Sequence, residues 1–465
     1  MKRAQIFVIL LLLLSSSLIN AQILEEAKAL YLKGDYVKSF ELASKRLKIK
    51  PKDANTSLLV GLNAYHLGDF KTAEKTLQFA AEKSLPEAFY YLGQIQYKGY
   101  RFAESADNLS KYIAQSKADS TMKLKAEHLL PLSQAGARLI KGVENVQIID
   151  SMVVDKKNFL RHYRLSRESG EVRSTEGFTS VYQNQRNDKM YFSMKTKKNG
   201  VDLFTRSRLM DAWGDTVALS ETINTKANEN FPFVLSDGVT LYYSSDGEGT
   251  MGGSDIFVTR YNLANDTYLS PENIGMPFNS IFNDYLLVID EQNSIGWFAS
   301  DRYQPKDKVV IYVFIPNETK KIVENVAAQK LIQLASIHSI RDTWIKGENY
   351  TSYFNKIGKS EADSVRRLEN VSTFRWVLND TTIYHSLGQF KSEDAKNCYF
   401  EYLKTNELLR MLQKQLDQLR SEYSTSTKEH RTELSPAILA TEKQVEQLFQ
   451  KQKDLELKSR RLELK

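Results

Sequence analysis

Cysteine is almost absent from this chain: Cys398 stands alone among 465 residues. One thiol cannot close an internal disulfide, and no Cys/His cluster with zinc spacing is present. A small buried side chain is the expected role of Cys398. Histidine is also sparse. His66, His128, His162, His338, His385 and His430 are scattered and join no motif suited to metal binding or general-base work. There is no Gly-x-Ser-x-Gly elbow and no phosphate loop ending in Gly-Lys-Ser/Thr. Charge of one sign does not accumulate. The formal net charge of +7, which falls to +5 without Lys2 and Arg3, is spread along the chain. That distribution argues against a nucleic-acid partner. Beyond the first twenty residues, no stretch is apolar enough to cross a bilayer as a helix. These absences lead to an expectation of no enzymatic activity, no cofactor and no metal.

What remains supports packed domains. The apolar fraction is 42%, and the length suits about three domains of ~100–200 residues each. Residues 1–21 read as a secretory signal. Lys2 and Arg3 supply the charged start, Ile6 to Leu14 an apolar core, and Ala21 a small residue before Gln22. An exported chain is expected.

From residue 22 to 142 the pattern is helical and repetitive. Gly34-Asp35-Tyr36 recurs as Gly68-Asp69-Phe70 after 34 residues, and a third copy places Phe102 after a step of 32. Each phrase reads as a turn between antiparallel helices, with Gly in a left-handed conformation and the aromatic packed between helices. Gly61 and Gly93 supply small residues where helices approach. Pro51 and Pro86 mark repeat ends, and a closing helix is expected around Lys123 to Leu139. The segment resembles tetratricopeptide repeats. The resemblance implies an α-solenoid with a concave side, to which Tyr31, Tyr65, Tyr90, Tyr91 and Tyr97 are candidates for contribution.

Residues 143–320 turn to β patterning. Three phrases align, Lys189–Arg208, Leu241–Asn262 and Gly296–Asn317. Phe192, Tyr243 and Phe298 correspond at steps of 51 and 55, as do Phe204, Phe257 and Tyr312. A hairpin with a cross-strand aromatic pair is the expected unit. The central copy also carries Asp237, Gly238, Ser244, Ser245, Asp246, Gly247, Gly252, Gly253 and Asp255, expected to be structural turn residues. Asp246 and Asp255 could meet around a cation, but there is no dense series of oxygen ligands. The span from Val143 to Ser180, with the strand of residues 146–154 and others near it, could supply a further blade.

With Asn228, Glu229 and Pro232 before them and Pro271, Asn273, Gly275, Pro277, Asn279 and Ser280 after, these residues resemble the WD-like repeats of TolB-type propellers, in the form common in Bacteroidota envelope proteins. The resemblance implies a β-propeller-like domain. The order of repeats then propeller is similar to envelope proteins that often end in an OmpA-like peptidoglycan-binding domain. No such domain is recognisable here, which leaves peptidoglycan contact without support.

Residues 321–397 read as a mixed segment. A helix is expected from Ile322 to His338, packed on the β region, and a short hairpin across residues 373–388. Residues 398–465 carry a heptad seam through Leu409, Leu412, Leu416, Leu419 and Tyr423, then Ile438, Val445, Leu448, Leu455 and Leu462. Ser435 and Pro436 read as the cap and first residue of the second helix. An antiparallel hairpin or a coiled coil with another chain is expected, with Thr441, Gln452 and Ser459 weakening the seam and leaving room for a partner.

The expected fold class is thus multidomain α and β: α-solenoid, β-propeller-like domain and C-terminal helical hairpin or coiled coil. The expected function is a periplasmic scaffold or adaptor at the outer membrane, in export, gliding or envelope-assembly machinery, meeting envelope proteins through its repeat, propeller and helical surfaces. A propeller-based sensor of glycans or peptides is the alternative, and a hydrolase a more distant one.

Overall fold

The computed structural model describes residues 22–115, 119–175, 178–196, 200–209, 212–353, 376–379, 382–384, 389–425 and 428–464. The expected signal, residues 1–21, lies outside them. The fold is mixed α/β: helices in tandem, then antiparallel sheets, then C-terminal helices. No described helix is long and apolar enough to cross a membrane.

The helical region comprises α1 (22–32), α2 (Tyr36–Ile49), α3 (Ala54–His66), α4 (Phe70–Glu82), α5 (Pro86–Lys98), α6 (Phe102–Ile113) and α7 (Ser120–Leu139). Asp35 and Asp69 cap α2 and α4, each accepting from the backbone N–H three residues on. Gly34 and Gly68 precede them at φ of +80° and +81°. The third turn differs from expectation. Gly99 keeps a negative φ and Tyr100 takes the left-handed position at +58°. The strain in a residue with a Cβ is offset by burial of the Tyr100 ring. Helix contacts are close where glycine was expected to matter. A Cβ on Gly61 would sit 2.6 Å from Leu77, and one on Gly93 2.8 Å from Leu109.

Three antiparallel sheets follow. The first orders β2 (Glu171–Thr175), β3 (Phe178–Gln183), β4 (Lys189–Thr196) and β5 (Gly200–Leu209), with β6 (Ala212–Trp213) and β7 (Val217–Ala218) paired to β5. The second orders β8 (Glu229–Val234), β9 (Thr240–Ser245) and β10 (Asp255–Asn262), with β11 (Thr267–Tyr268) and β12 (Glu272–Asn273) paired to β10. The third contains β13 (Asp284–Asp290), β14 (Ile295–Ser300) and β15 (Lys308–Ile315). The aligned aromatics are direct cross-strand partners in all three: Phe192 with Phe204, Tyr243 with Phe257, Phe298 with Tyr312. Each pair stacks, at centroid distances of 5.9, 6.1 and 5.1 Å.

Residues 147–154 do not begin a further sheet. They form β1 (Gln147–Asp155), which pairs along β15 from Gln147↔Ile315 to Asp155↔Lys308 and completes the third sheet. The physical reason lies in β15, whose residues Val309 to Phe314 are all buried. A strand buried on both faces must pair its backbone on both edges. The start of β1 is closed in turn, because Thr343 Oγ1 accepts from Ile148 N and Trp344 Nε1 donates to Ile148 O.

Between β1 and β2, residues 156–170 fold against β8 and β13. Phe159 packs on Phe231 and Tyr285. Tyr163 donates to Leu286 O at 3.0 Å. The fully buried Asp290 accepts from Ser166 N, Ser166 Oγ and Ser169 Oγ, and also from Asn293.

The helices and sheets belong to one compact unit, and residues after 356 to a second. Within the first, Tyr97, Tyr100, Phe102 and Ala135 of the helical region share a buried cluster with Val143, Met251 and Met276, and with Ala335 of α8 (Ala328–Ser336). In the second unit, β16 (Trp376–Asn379) pairs with β17 (Thr382–Tyr384). The rest of the expected hairpin lies outside the described residues. Two long helices, Glu393–Thr425 and Lys428–Glu463, run antiparallel. Ser459 Oγ donates to Ala395 O, Gln452 to Asn406, and Arg420 to Glu442. Ser435 and Pro436 do not start the second helix but lie inside it. Ser435 Oγ donates back to Arg431 O, so the local start signal is overridden by the apolar seam that continues on either side. The polar seam residues are bonded within the hairpin: Thr441 Oγ1 donates to Ala437 O, Gln452 Nε2 to Asn406 Oδ1 and Ser459 Oγ to Ala395 O.

Candidate interaction site

The glycine-rich turn of the second sheet is the most distinctive sequence feature, and its polar residues hold turns. Asp237 accepts from Val239 N, Thr240 N and Thr240 Oγ1, and Gly238 follows at φ +71°. Asp246 accepts from Asn228 N and Nδ2 at 2.7 and 2.8 Å. Ser245 Oγ donates to Glu229 and accepts from Gly247 N, while Ser244 Oγ donates to Asn230 O. Gly252 and Gly253 let the loop meet the next sheet. A Cβ on Gly252 would lie 2.2 Å from Phe282 O, and one on Gly253 2.1 Å from Asn283 Oδ1. Asp255 accepts from Met251 N and Asn273 Nδ2. Asp246 and Asp255 therefore serve separate bonds. Among the described residues, no group of three or more His, Cys, Asp or Glu is placed to hold a metal ion.

The same bonds recur 55 residues on. Asn283 N and Nδ2 donate to Asp301 as Asn228 does to Asp246. Asp284 accepts from Ser280 N and Oγ as Glu229 does from Thr225. Asn279 brackets Ile256 through N–H and C=O, as Asn224 brackets Leu203. Where the second sheet has Gly247, the third has Arg302, fully buried and 2.8 Å from Asp284. Burial, and then the charge of Asp284, push the Asp255 carboxyl up to about 8.

The loop also receives the helices. Tyr97 OH donates to Met251 O at 2.6 Å across the shared apolar cluster. Its neighbours on α5, Tyr90, Tyr91 and Gln94, face elsewhere and line an open groove of about 600 Å³ with Tyr65, His66, His128 and Leu129. The candidate tyrosines thus divide. Tyr65, Tyr90 and Tyr91 line the groove, Tyr31 supports it through His66, and Tyr97 belongs to the junction. Tyr36 stacks on His66 at 4.3 Å. Lys98 Nζ lies 4.9 Å from the Tyr65 ring centroid and donates to its hydroxyl. Burial lowers His66 and raises the hydroxyls of Tyr90 and Tyr91. Gln94, Lys125 and His128 were not marked by sequence reasoning. Their signal is helical spacing, since Tyr91, Gln94 and Lys98 share one face of α5, and Lys125 and His128 one face of α7.

The groove offers aromatic area, hydroxyl and amide hydrogen-bonding groups and Lys125, with Lys98 bonded to the Tyr65 hydroxyl. No protein-family model matches the chain, and no curated protein matches it.

Proposed function

We propose that this chain is a non-catalytic scaffold of the bacterial periplasm, working with an outer-membrane-associated assembly. In this reading the helices are a tetratricopeptide-type array and the three sheets are blades of a small propeller. The repeated aromatic pairs, the bonds recurring at 55 residues and the use of β1 to complete the third sheet support that reading. The exported address rests on the charged, apolar and small-residue pattern of residues 1–21. The observation that carries the scaffold reading is the joint between groove and sheets. Because α5 lines the groove and also enters the shared core, a segment held in the groove sits at a set distance from the β surface.

Affinity isolation from the native envelope after mild crosslinking tests this. The expected result is a reproducible set of envelope proteins, reduced when Leu124→Glu and Lys125→Glu alter the exposed lip of the groove. Recovery of the chain alone, with or without those substitutions, rejects the reading.

A further inference from the structure

Net charge is spread along the chain as a whole, and the segment between β1 and β2 is a local exception. Residues 156–167 hold Lys156, Lys157, Arg161, Arg164 and Arg167 together with His162, and neither aspartate nor glutamate. The segment is fixed from beneath. Phe159, Leu160, Tyr163 and Leu165 are all buried. Phe159 packs on Phe231 and Tyr285, Tyr163 bonds to Leu286 O, and Ser166 bonds to Asp290. Because the apolar side chains take the inner side, the long cations are left on the outer one. Lys157, Arg161 and Arg167 are exposed, and His162 and Arg164 are half-buried.

Internal pairing leaves much of this charge over. Lys156 pairs with Asp301 at 3.2 Å, and Lys308 of β15 takes up Asp155 at 2.6 Å. Asp290 lies buried under the serines that it binds. Glu168 stands exposed beside Arg167. Lys157, Arg161 and Arg167 pair with no carboxylate among the described residues. Unpaired cations held on a fixed backbone attract a ligand of opposite charge. The surroundings narrow its class. Phe159 and Tyr163 are buried, so the segment offers no exposed ring on which a nucleic-acid base could stack. All its apolar side chains point inward, so none is free to insert into a bilayer. Guanidinium groups at set positions suit carboxylates, which they bind through paired N–H donors.

We propose that the outer side of residues 156–167 is a docking surface for an acidic segment of a partner protein. The inference is separate from the helical groove and from the scaffold reading, because it stands or falls with the purified chain. Fluorescence anisotropy of a labelled decaglutamate peptide, titrated with the full chain, tests it. Saturable binding that weakens as salt rises is expected. Arg161→Glu combined with Arg167→Glu weakens it about tenfold or more. Circular dichroism and the thermal midpoint stay unchanged, because both side chains are exposed. Lys45→Glu combined with Lys52→Glu reverses equal charge in another exposed basic stretch and leaves binding as in the wild type. The proposal is overturned if decaglutamate does not bind at about 50 mM salt, or if the two pairs of charge reversals weaken binding equally. It is also overturned if phosphatidylglycerol vesicles or a DNA oligonucleotide bind through these arginines more tightly than the peptide does.

Discussion

Asp255 shows how one carboxyl can set a pH dependence for the fold. It is fully buried beside Asp284, and its proton is held to about pH 8, against an ordinary value of 3.8. Below about pH 4 the group is protonated in both folded and unfolded chains and does not bias the equilibrium. Between about pH 4 and pH 8 only the folded state retains the proton, so this group's contribution to stability falls by about 1.4 kcal/mol per pH unit. Above that window the loss levels off. Asp255→Asn keeps an oxygen for Met251 N and removes the titration. Its denaturation midpoint, followed from pH 5 to 8.5 in urea, is expected to fall less with pH than that of the wild type. Parallel profiles would show that Asp255 is ionised in the folded state. Asp301 behaves oppositely. Burial raises Asp301, but the bonds from Tyr285, Asn283 and Lys156 outweigh it and leave its carboxyl below the ordinary range.

At the scale of elements, Asp290 holds residues 156–170 in place. Removing its carboxylate takes the partner of Ser166 N and leaves the hydroxyls of half-buried Ser166 and buried Ser169 with only each other. Asp290→Ala is expected to raise amide hydrogen exchange across 159–169 about tenfold or more while β9 and β10 exchange as before. Uniform loss of protection would mean that the segment is integral to the sheets. What the sequence displayed at this scale was local. Alternation and aromatic spacing placed Phe192, Tyr243 and Phe298 opposite their partners, because hairpin pairing is decided by near neighbours. The destination of β1 was not legible, since its partner lies 160 residues away and is chosen by the need of β15 for a second edge. Ser435-Pro436 misled because a cap signal is weak against a continuous seam. The groove was legible only as a set of tyrosines; α3, α5 and α7 must stack before Tyr65, Tyr91 and His128 meet.

At the scale of the whole molecule, the first unit depends on a small junction. Tyr97, Tyr100 and Phe102 enter the core that also holds Met251 and Met276, and each buried ring contributes roughly 1.5–3 kcal/mol. Repeat arrays ordinarily fray and unfold segment by segment, because each repeat touches only its neighbours. Here the end of the array is anchored to a loop that is itself clamped between the second and third sheets by Gly252 and Gly253. Opening of α5 to α7 is therefore coupled to loosening of the sheets. In the wild type, amides of α5 to α7 and of β9 and β10 are expected to become labile at the same urea concentration when hydrogen exchange is followed peptide by peptide. Tyr97→Phe removes the bond to Met251 and leaves the ring in place, so the two regions stay coupled. Phe102→Ala removes about 3–5 kcal/mol of packing and opens a cavity against Gly136, whose Cα the ring now covers. In that variant the helices are expected to become labile at lower urea while the sheets remain protected. If both regions still exchange together in Phe102→Ala, the coupling runs through other contacts. If they already exchange separately in the wild type, the groove and the β surface are not held at a set distance, and the scaffold reading loses the joint on which it rests.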